Sequence, residues 1–198
     1  MIDRIIFLTI FIIISSSFLY RRYAAGRRDA YLLRAGLICT VSADFCMLII
    51  YNNTAGLLFF IGAQTIYFFR YLSARISAAI LIPVLLCVFI ALTYYTSLPF
   101  ETRLAAVYAC TLTTGTVTAF IRAKAYPAPN RAMVPLGMLL FMLCDVNVAL
   151  INILPAGTGR AAANVLIWVF YLPSQALLSY SGKEITKLCG RIYENHHI

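Results

Sequence analysis

Seven long apolar runs, separated by short polar segments, occupy most of the 198 residues of this chain. A helix that crosses the hydrocarbon core of a bilayer needs about 20 residues, within a range of about 17–25. The runs cover positions 5–20, 31–51, 55–69, 76–95, 104–121, 133–153 and 161–180. We therefore predict an all-α fold, a polytopic transmembrane bundle of about seven helices that forms a single transmembrane domain over residues 1–198.

The composition argues against several other classes of protein. Hydrophobic residues make up 62% of the chain and charged residues only 12%, and the mean hydropathy is +0.86. An ordinary soluble domain has about a quarter of charged residues, so a soluble enzyme, a disordered chain and a nucleic-acid-binding domain all fit poorly. The net charge of +9 comes from basic residues between the apolar runs, as in cytoplasmic loops. We expect a multi-pass protein of the cell membrane whose partner is the lipid bilayer and not a nucleic acid.

The distribution of lysine and arginine predicts the orientation of the chain. If the N-terminus lies outside and seven helices follow, the inner segments hold 13 of the 16 basic residues, and the outer segments hold only Arg4, Arg103 and Arg160. Since cytoplasmic loops are enriched in these residues, we predict an outside N-terminus and a cytoplasmic C-terminus. The first run is disfavoured as a secretory signal, because its basic cluster follows the apolar stretch instead of preceding it.

The residues that commonly bind metals or form disulfides are poorly placed for either role. The six cysteines form no CxxC pair and five of them lie within apolar runs, which is typical of small buried residues. The only histidines, His196 and His197, stand at the C-terminal end, so the runs contain no HExxH motif and no Ser–His arrangement. We expect no metal site and no organic cofactor.

Two acidic residues interrupt the apolar runs. Asp44 lies in the second run and Asp145 in the sixth, whereas the other acidic residues lie at or outside the ends of runs. An ionisable side chain at membrane depth is costly and is a functional hypothesis by default. No lysine or arginine lies deep enough in a run to neutralise either one, and Arg34 and Arg70 near inner ends are expected to snorkel to the interface.

The two aspartates are predicted to lie at one depth. Asp44 is 13 residues past Tyr31 and Asp145 is 12 residues past Met133, in helices that both run from inside to outside. At about 1.5 Å per residue, the carboxyl groups reach nearly the same level and can face one cavity. Two close carboxyl groups in a low dielectric can supply one acid and one base. The alternative is that each aspartate fastens two helices by a hydrogen bond, which Asn or Ser would do at lower cost.

Other polar residues share this level. Gln64 of the third run is predicted there, and the seventh run carries Asn164, Trp168, Tyr171 and Gln175 on one helical face. We expect Gln175 to face the cavity. Ordinary helix packing is the preferred interpretation for Trp168.

Three segments resemble signatures of the YhhN family of integral membrane proteins, whose animal members include lysoplasmalogenases. The first segment, residues 35–72, matches at Gly36, Leu37, Ser42, Asp44, Leu48, Gly56, Phe60, Gly62 and Tyr67. The second segment, 137–153, has Asp145 at the family's second aspartate, and the third, 169–181, has Tyr171 and Gln175 at its Tyr and Gln. The order and spacing of the three segments make the set more specific than any one of them.

The sequence departs from the family pattern at three positions. Ala43 stands where the family usually has Gly, Cys144 where it has Ser, and Gln64 where it has His. Because Gln cannot titrate, a proton transfer by that His in relatives is lost here or is done otherwise. The family typically has eight helices, so seven here imply that the first is missing, which agrees with an outside N-terminus.

The resemblance implies hydrolysis of the vinyl-ether bond of a lysophospholipid substrate, a lysoplasmalogen, with release of a fatty aldehyde. It implies that Asp44 and Asp145 are the catalytic pair and that no metal or cofactor takes part. The predicted substrate-binding residues are Ser42, Gln64, Tyr67, Tyr171 and Gln175. The two acids suit this chemistry, because protonation of an alkene carbon needs a carboxylic acid and the resulting cation needs a negative group.

Two other functions stay open. A proton-coupled transporter of a small molecule or lipid also uses intramembrane carboxyl groups, although no inverted repeat is evident here. A non-catalytic family member that binds lipid is favoured by Gln64. An enzyme releases aldehyde in detergent, a carrier needs a gradient, and a lipid binder gains thermal stability without releasing product. The head group, the chain length and the oligomeric state stay undetermined.

Overall fold

The computed structural model describes residues 2–18, 26–72, 97–127 and 129–183, together with the isolated positions 84, 88, 91, 93 and 94. Within these residues lie six α-helices and one 3-10 helix, Ala123–Ala125, and no β-strand. The α-helices are α1 Ile2–Phe18, α2 Arg27–Leu48, α3 Asn53–Tyr71, α4 Phe100–Arg122, α5 Asn130–Ile153 and α6 Thr158–Tyr180.

The helices confirm the all-α prediction. Each of the six coincides with a predicted run to within four residues, and the predicted run 76–95 lies outside the described residues apart from the isolated positions. Four segments are long and apolar enough to cross a membrane: Arg27–Leu48, Phe100–Ala125, Asn130–Ile153 and Thr158–Tyr180. The apolar part of α1 is shorter. The count of seven helices and the orientation of the termini stay predictions.

The connections between helices are short where the sequence contains turn-forming residues. α2 ends at Leu48, and the Asn52 side chain accepts a hydrogen bond from the Ala55 backbone N–H at 2.9 Å at the start of α3. This is the usual N-cap interaction, which satisfies a backbone donor that the first helical turn leaves unpaired. Between α4 and α5, Tyr126 has an extended backbone and Pro129 caps α5, as expected where proline interrupts a helix.

The six helices pack side by side and form one closed bundle. Each helix contacts its neighbours in chain order, and α1 also packs against α6. The most extensive contacts join α2 to α3 and α5 to α6. This order brings α2, which carries Asp44, into the same bundle interior as α5 and α6.

Gly36 and Gly137 allow close approaches between these helices. A Cβ atom on Gly36 would lie 2.5 Å from Cε1 of Tyr67, and a Cβ atom on Gly137 would lie 2.9 Å from Cγ of Leu178. The Ser174 hydroxyl donates to the Gly137 carbonyl at 2.9 Å, which adds a polar contact between α6 and α5. The absence of a Cβ atom at Gly36 and at Gly137 therefore allows the close packing of α2 against α3 and of α5 against α6.

One end of the bundle is held by buried polar residues, here called the ionic cluster: Asp29, Arg70, Tyr126 and Ser181. The guanidinium of Arg70 donates to both oxygens of Asp29, at 2.8 and 2.9 Å, and to the Ser181 hydroxyl at 3.0 Å. The Tyr126 hydroxyl donates to Asp29 at 3.0 Å. The expectation that Arg70 snorkels to the interface is therefore wrong. Its side chain is buried because Asp29 of α2 neutralises it.

Candidate active site

A cavity of about 550 Å³ lies between α2, α3, α4, α5 and α6. It occupies the half of the bundle away from the ionic cluster, near the last turns of α2 and α5 and the first turns of α3, α4 and α6. Most of its wall is apolar. The cavity reaches the surface of the bundle, since Asn152 and Asn164 both line it and are exposed.

Helical periodicity explains which side chains reach the cavity. Along α5 the lining residues include Met142, Asp145, Ala149 and Asn152, at steps of three and four residues. Residues at this spacing share one face of an α-helix. The same face of α5 therefore presents apolar residues, one carboxyl group and, near the helix end, one amide.

Asp44 reaches the cavity from α2 and is held by a tyrosine of α6. The residue is only 5% exposed. The Tyr171 hydroxyl lies 2.8 Å from Oδ1 and 2.7 Å from Oδ2 of Asp44 and donates to this carboxyl group. Tyr171 is itself 4% exposed, so the pair is shielded from the surroundings of the bundle.

Asp145 reaches the same cavity from α5 and is held by a tyrosine of α4. The Tyr108 hydroxyl donates to Oδ2 of Asp145. The Cys144 thiol lies close to the same carboxyl group. Asp145 is half-buried and therefore more accessible from the cavity than Asp44 is.

The two carboxyl groups belong to the lining of one cavity, Asp44 from α2 and Asp145 from α5. Among the described residues that line the cavity there is no lysine, arginine or histidine. The tyrosine hydroxyls that donate to the two aspartates are neutral groups. Two carboxyl groups in such a setting can pass a proton to and from a bound molecule without first breaking an ion pair.

Aromatic rings fix the two tyrosines relative to each other. Phe60 packs between Tyr108 and Phe141, with ring centroids 5.7 and 5.8 Å apart, and Phe141 packs against Tyr171 at 5.6 Å. Trp168 packs edge-on against Tyr171 at 6.3 Å and also lines the cavity. Such contacts limit ring motion and thereby hold both hydroxyls against their carboxyl groups.

The structure brings together three of the residues that the sequence proposed for the site. Asp44, Asp145 and Tyr171 line one cavity. The hydroxyl of Ser42, in contrast, donates to the Ile38 carbonyl of its own helix at 2.9 Å.

The other three proposed residues lie outside the cavity lining. Gln64, Tyr67 and Gln175 are fully buried between helices. Neither amide has a hydrogen-bond partner for its oxygen or nitrogen within the described residues. The substrate-binding roles of Ser42, Gln64, Tyr67 and Gln175 stay predictions.

Tyr108 is the site residue that sequence reasoning missed. It is one of 13 tyrosines and lies in an apolar run without any neighbouring charge. A search for tyrosines at the predicted depth of Asp145 on an adjacent helix would have included it. The described residues contain no group of three or more His, Cys, Asp or Glu side chains that could hold a metal ion.

The fold and the cavity define a helical membrane protein with a pair of carboxyl groups in its interior. The family model for the YhhN family matches residues 4–182, and the chain belongs to this family. No curated protein and no solved structure matches the chain in comparison searches.

Proposed function

We propose that this protein is a membrane-embedded hydrolase that cleaves the vinyl-ether bond of a lysoplasmalogen or a related ether lipid and releases a fatty aldehyde. The observation that carries this proposal is the presence of Asp44 and Asp145 in one cavity without a cationic side chain in its described lining. Membership in the YhhN family agrees with it, since the animal members of that family include lysoplasmalogenases.

The reaction needs what two carboxyl groups can supply. One carboxylic acid gives its proton to the alkene carbon, and the electron pair of the double bond forms the new C–H bond. The adjacent carbon becomes an oxocarbenium-like cation, which a carboxylate stabilises. Water then adds to the cation, and the hemiacetal that forms breaks into an aldehyde and an alcohol. None of these steps needs a metal or an organic cofactor.

The cavity suits a single-chain amphipathic lipid. Its wall is mainly apolar, which favours the hydrocarbon chain, and the two carboxyl groups lie inside it. Asn152 and Asn164 provide exposed amides at the rim. Asn152 lies seven residues after Asp145 on α5, and Asn164 lies seven residues before Tyr171 on α6. Seven residues span about 10 Å along a helix. A glycerophosphate group attached to the ether oxygen spans a comparable distance.

The test is aldehyde release from a lysoplasmalogen by the purified protein in detergent, where no gradient exists. The account predicts release of fatty aldehyde and glycerophospho-alcohol in equal amounts. The matched control is the saturated ether analogue, which has no alkene to protonate and is expected to stay intact. Cleavage of both lipids at equal rates would contradict a protonation mechanism.

A proton-coupled carrier is the second candidate function. It is favoured by the same neutral surroundings of the two intramembrane carboxyl groups, which allow them to load and unload protons. A carrier moves its substrate across vesicles only with a proton gradient and releases no aldehyde in detergent. The third candidate is a non-catalytic lipid binder, which is favoured by Gln64 in place of the family's His. Such a protein gains thermal stability with the lipid and leaves the lipid intact.

A further inference from the structure

The two aspartates of the cavity are held differently by their tyrosines. The Tyr171 hydroxyl contacts both oxygens of Asp44, at 2.8 and 2.7 Å, and this residue is almost completely buried. The Tyr108 hydroxyl contacts only Oδ2 of Asp145, which is half-buried. Oδ1 of Asp145 is thus the carboxyl oxygen of the pair that neither tyrosine hydroxyl contacts.

We propose that Asp145 gives its proton to the alkene carbon, that Asp44 is the anion facing the resulting cation, and that Tyr108 and Tyr171 are the positioning residues for these two roles. This assignment rests on the proposed function. A proton donor needs an oxygen that its positioning hydroxyl leaves uncovered, and Oδ1 of Asp145 is not contacted by Tyr108. A fixed negative group needs a rigid orientation, and the contact of Tyr171 with both oxygens gives it to Asp44.

The assignment yields a proton cycle that closes without any further group. Asp145 transfers its proton to the alkene carbon and becomes a carboxylate. Asp44 takes a proton from the water that adds to the cation, and a hemiacetal forms. Asp44 then returns this proton to the departing alcohol oxygen, while the carboxylate of Asp145 removes the hemiacetal hydroxyl proton as the carbonyl forms. Both aspartates end in their starting states, and one water molecule is consumed.

The roles can be separated by binding of a stable cation analogue. The probe is a single-chain glycerophospholipid in which an ammonium nitrogen replaces the carbon that becomes cationic. Because Asn resembles a protonated carboxyl group and not a carboxylate, D145N is expected to keep wild-type affinity within about threefold. D44N is expected to lose at least about tenfold in affinity, since it removes the charge that faces the ammonium group.

Binding is measured by calorimetry in detergent, and thermal unfolding of each variant shows that it is folded. Loss of affinity in D145N with retention in D44N would reverse the two roles and overturn the assignment. Equal loss in both variants would overturn it as well. Aldehyde release by the wild-type protein is measured in parallel, so that failure of the hydrolase proposal is recognised independently of the roles.

The tyrosines are tested by removing only their hydroxyl groups. Y108F is expected to lower kcat about tenfold with little change in KM and to bind the analogue like the wild type, because it acts on the proton donor alone. Y171F is expected to lower kcat and to weaken analogue binding. Y31F is the matched control, since Tyr31 is 69% exposed and lies outside the cavity lining. Wild-type kcat in Y108F would overturn its positioning role.

Discussion

Aspartates at the two ends of this bundle have different partners. At one end, Asp29 accepts two hydrogen bonds from the guanidinium of Arg70 and one from Tyr126. At the other end, Asp44 and Asp145 accept hydrogen bonds from tyrosine hydroxyls and face a cavity. A carboxyl group that accepts two hydrogen bonds from a guanidinium ties helices together. A carboxyl group held by a neutral hydroxyl can still exchange its proton, which is what a catalytic acid or base must do.

The largest effect is expected from the cavity end. Replacing either of the proposed catalytic aspartates by asparagine, in Asp44→Asn or Asp145→Asn, is expected to remove proton transfer and to lower the rate of aldehyde release about a thousandfold. The rate is measured by mass spectrometry of the aldehyde. Glu101→Gln is the matched control, because Glu101 is exposed, lies outside the cavity lining and accepts a hydrogen bond from Thr54. Retention of more than a tenth of the activity in either variant would contradict the assignment of the site.

The ionic cluster is expected to affect stability instead. Arg70→Met leaves the buried carboxylate of Asp29 without its cation and is expected to cost about 3 kcal/mol of unfolding free energy. Adding Asp29→Leu removes that unpaired charge and is expected to restore part of the loss. Unfolding in detergent is the measurement, and the exposed Arg160, replaced by Met, is the control. A double variant no more stable than the single one would show that charge pairing is not the cause.

Packing between α5 and α6 is expected to have a smaller effect. Gly137→Ala places a Cβ atom 2.9 Å from Leu178 and 3.3 Å from Leu177, so it forces α5 and α6 apart. We expect a loss of about 2 kcal/mol in unfolding free energy. Gly62→Ala is the matched control, since among the described residues the nearest atom to its new Cβ is Sγ of Cys39, at 4.0 Å. Equal stability of the two variants would mean that the α5–α6 contact tolerates the extra volume.

The smallest effect is expected at the rim of the cavity. Asn164→Leu removes an amide that lines the opening and is expected to raise KM for the lysoplasmalogen about threefold without changing kcat. Steady-state kinetics with micellar substrate gives both parameters. Asn53→Leu, at an exposed position outside the cavity lining, is the control. A fall in kcat with constant KM would place Asn164 in the chemical step instead of at the rim.

The sequence predicts the positions of the helices and the common depth of Asp44 and Asp145, because both depend on the number of residues along the chain. Apolar run length predicts where six helices lie, and counting residues from the helix starts places Asp44 and Asp145 at one depth. Since a membrane helix fixes about 1.5 Å per residue, depth is well determined even when the rotation of the helix is unknown.

The sequence does not determine how each helix is rotated about its axis or which side chains of other helices its residues contact. Gln64 and Gln175 were expected near the cavity at the correct depth, yet they point between packed helices. Depth alone also does not distinguish Tyr108 from other tyrosines in apolar runs. Asp29 and Arg70 pair although they are 41 residues apart, and only the docking of α2 against α3 brings them together.

The central claim is that an acid in this cavity protonates an alkene carbon, and hydrolysis in deuterium oxide tests it most directly. The account predicts that each aldehyde molecule carries one deuterium on the carbon next to the carbonyl group. A control with added unlabelled aldehyde and the protein measures exchange after release. Aldehyde released without this deuterium, or no aldehyde from a folded protein in detergent, would contradict the account.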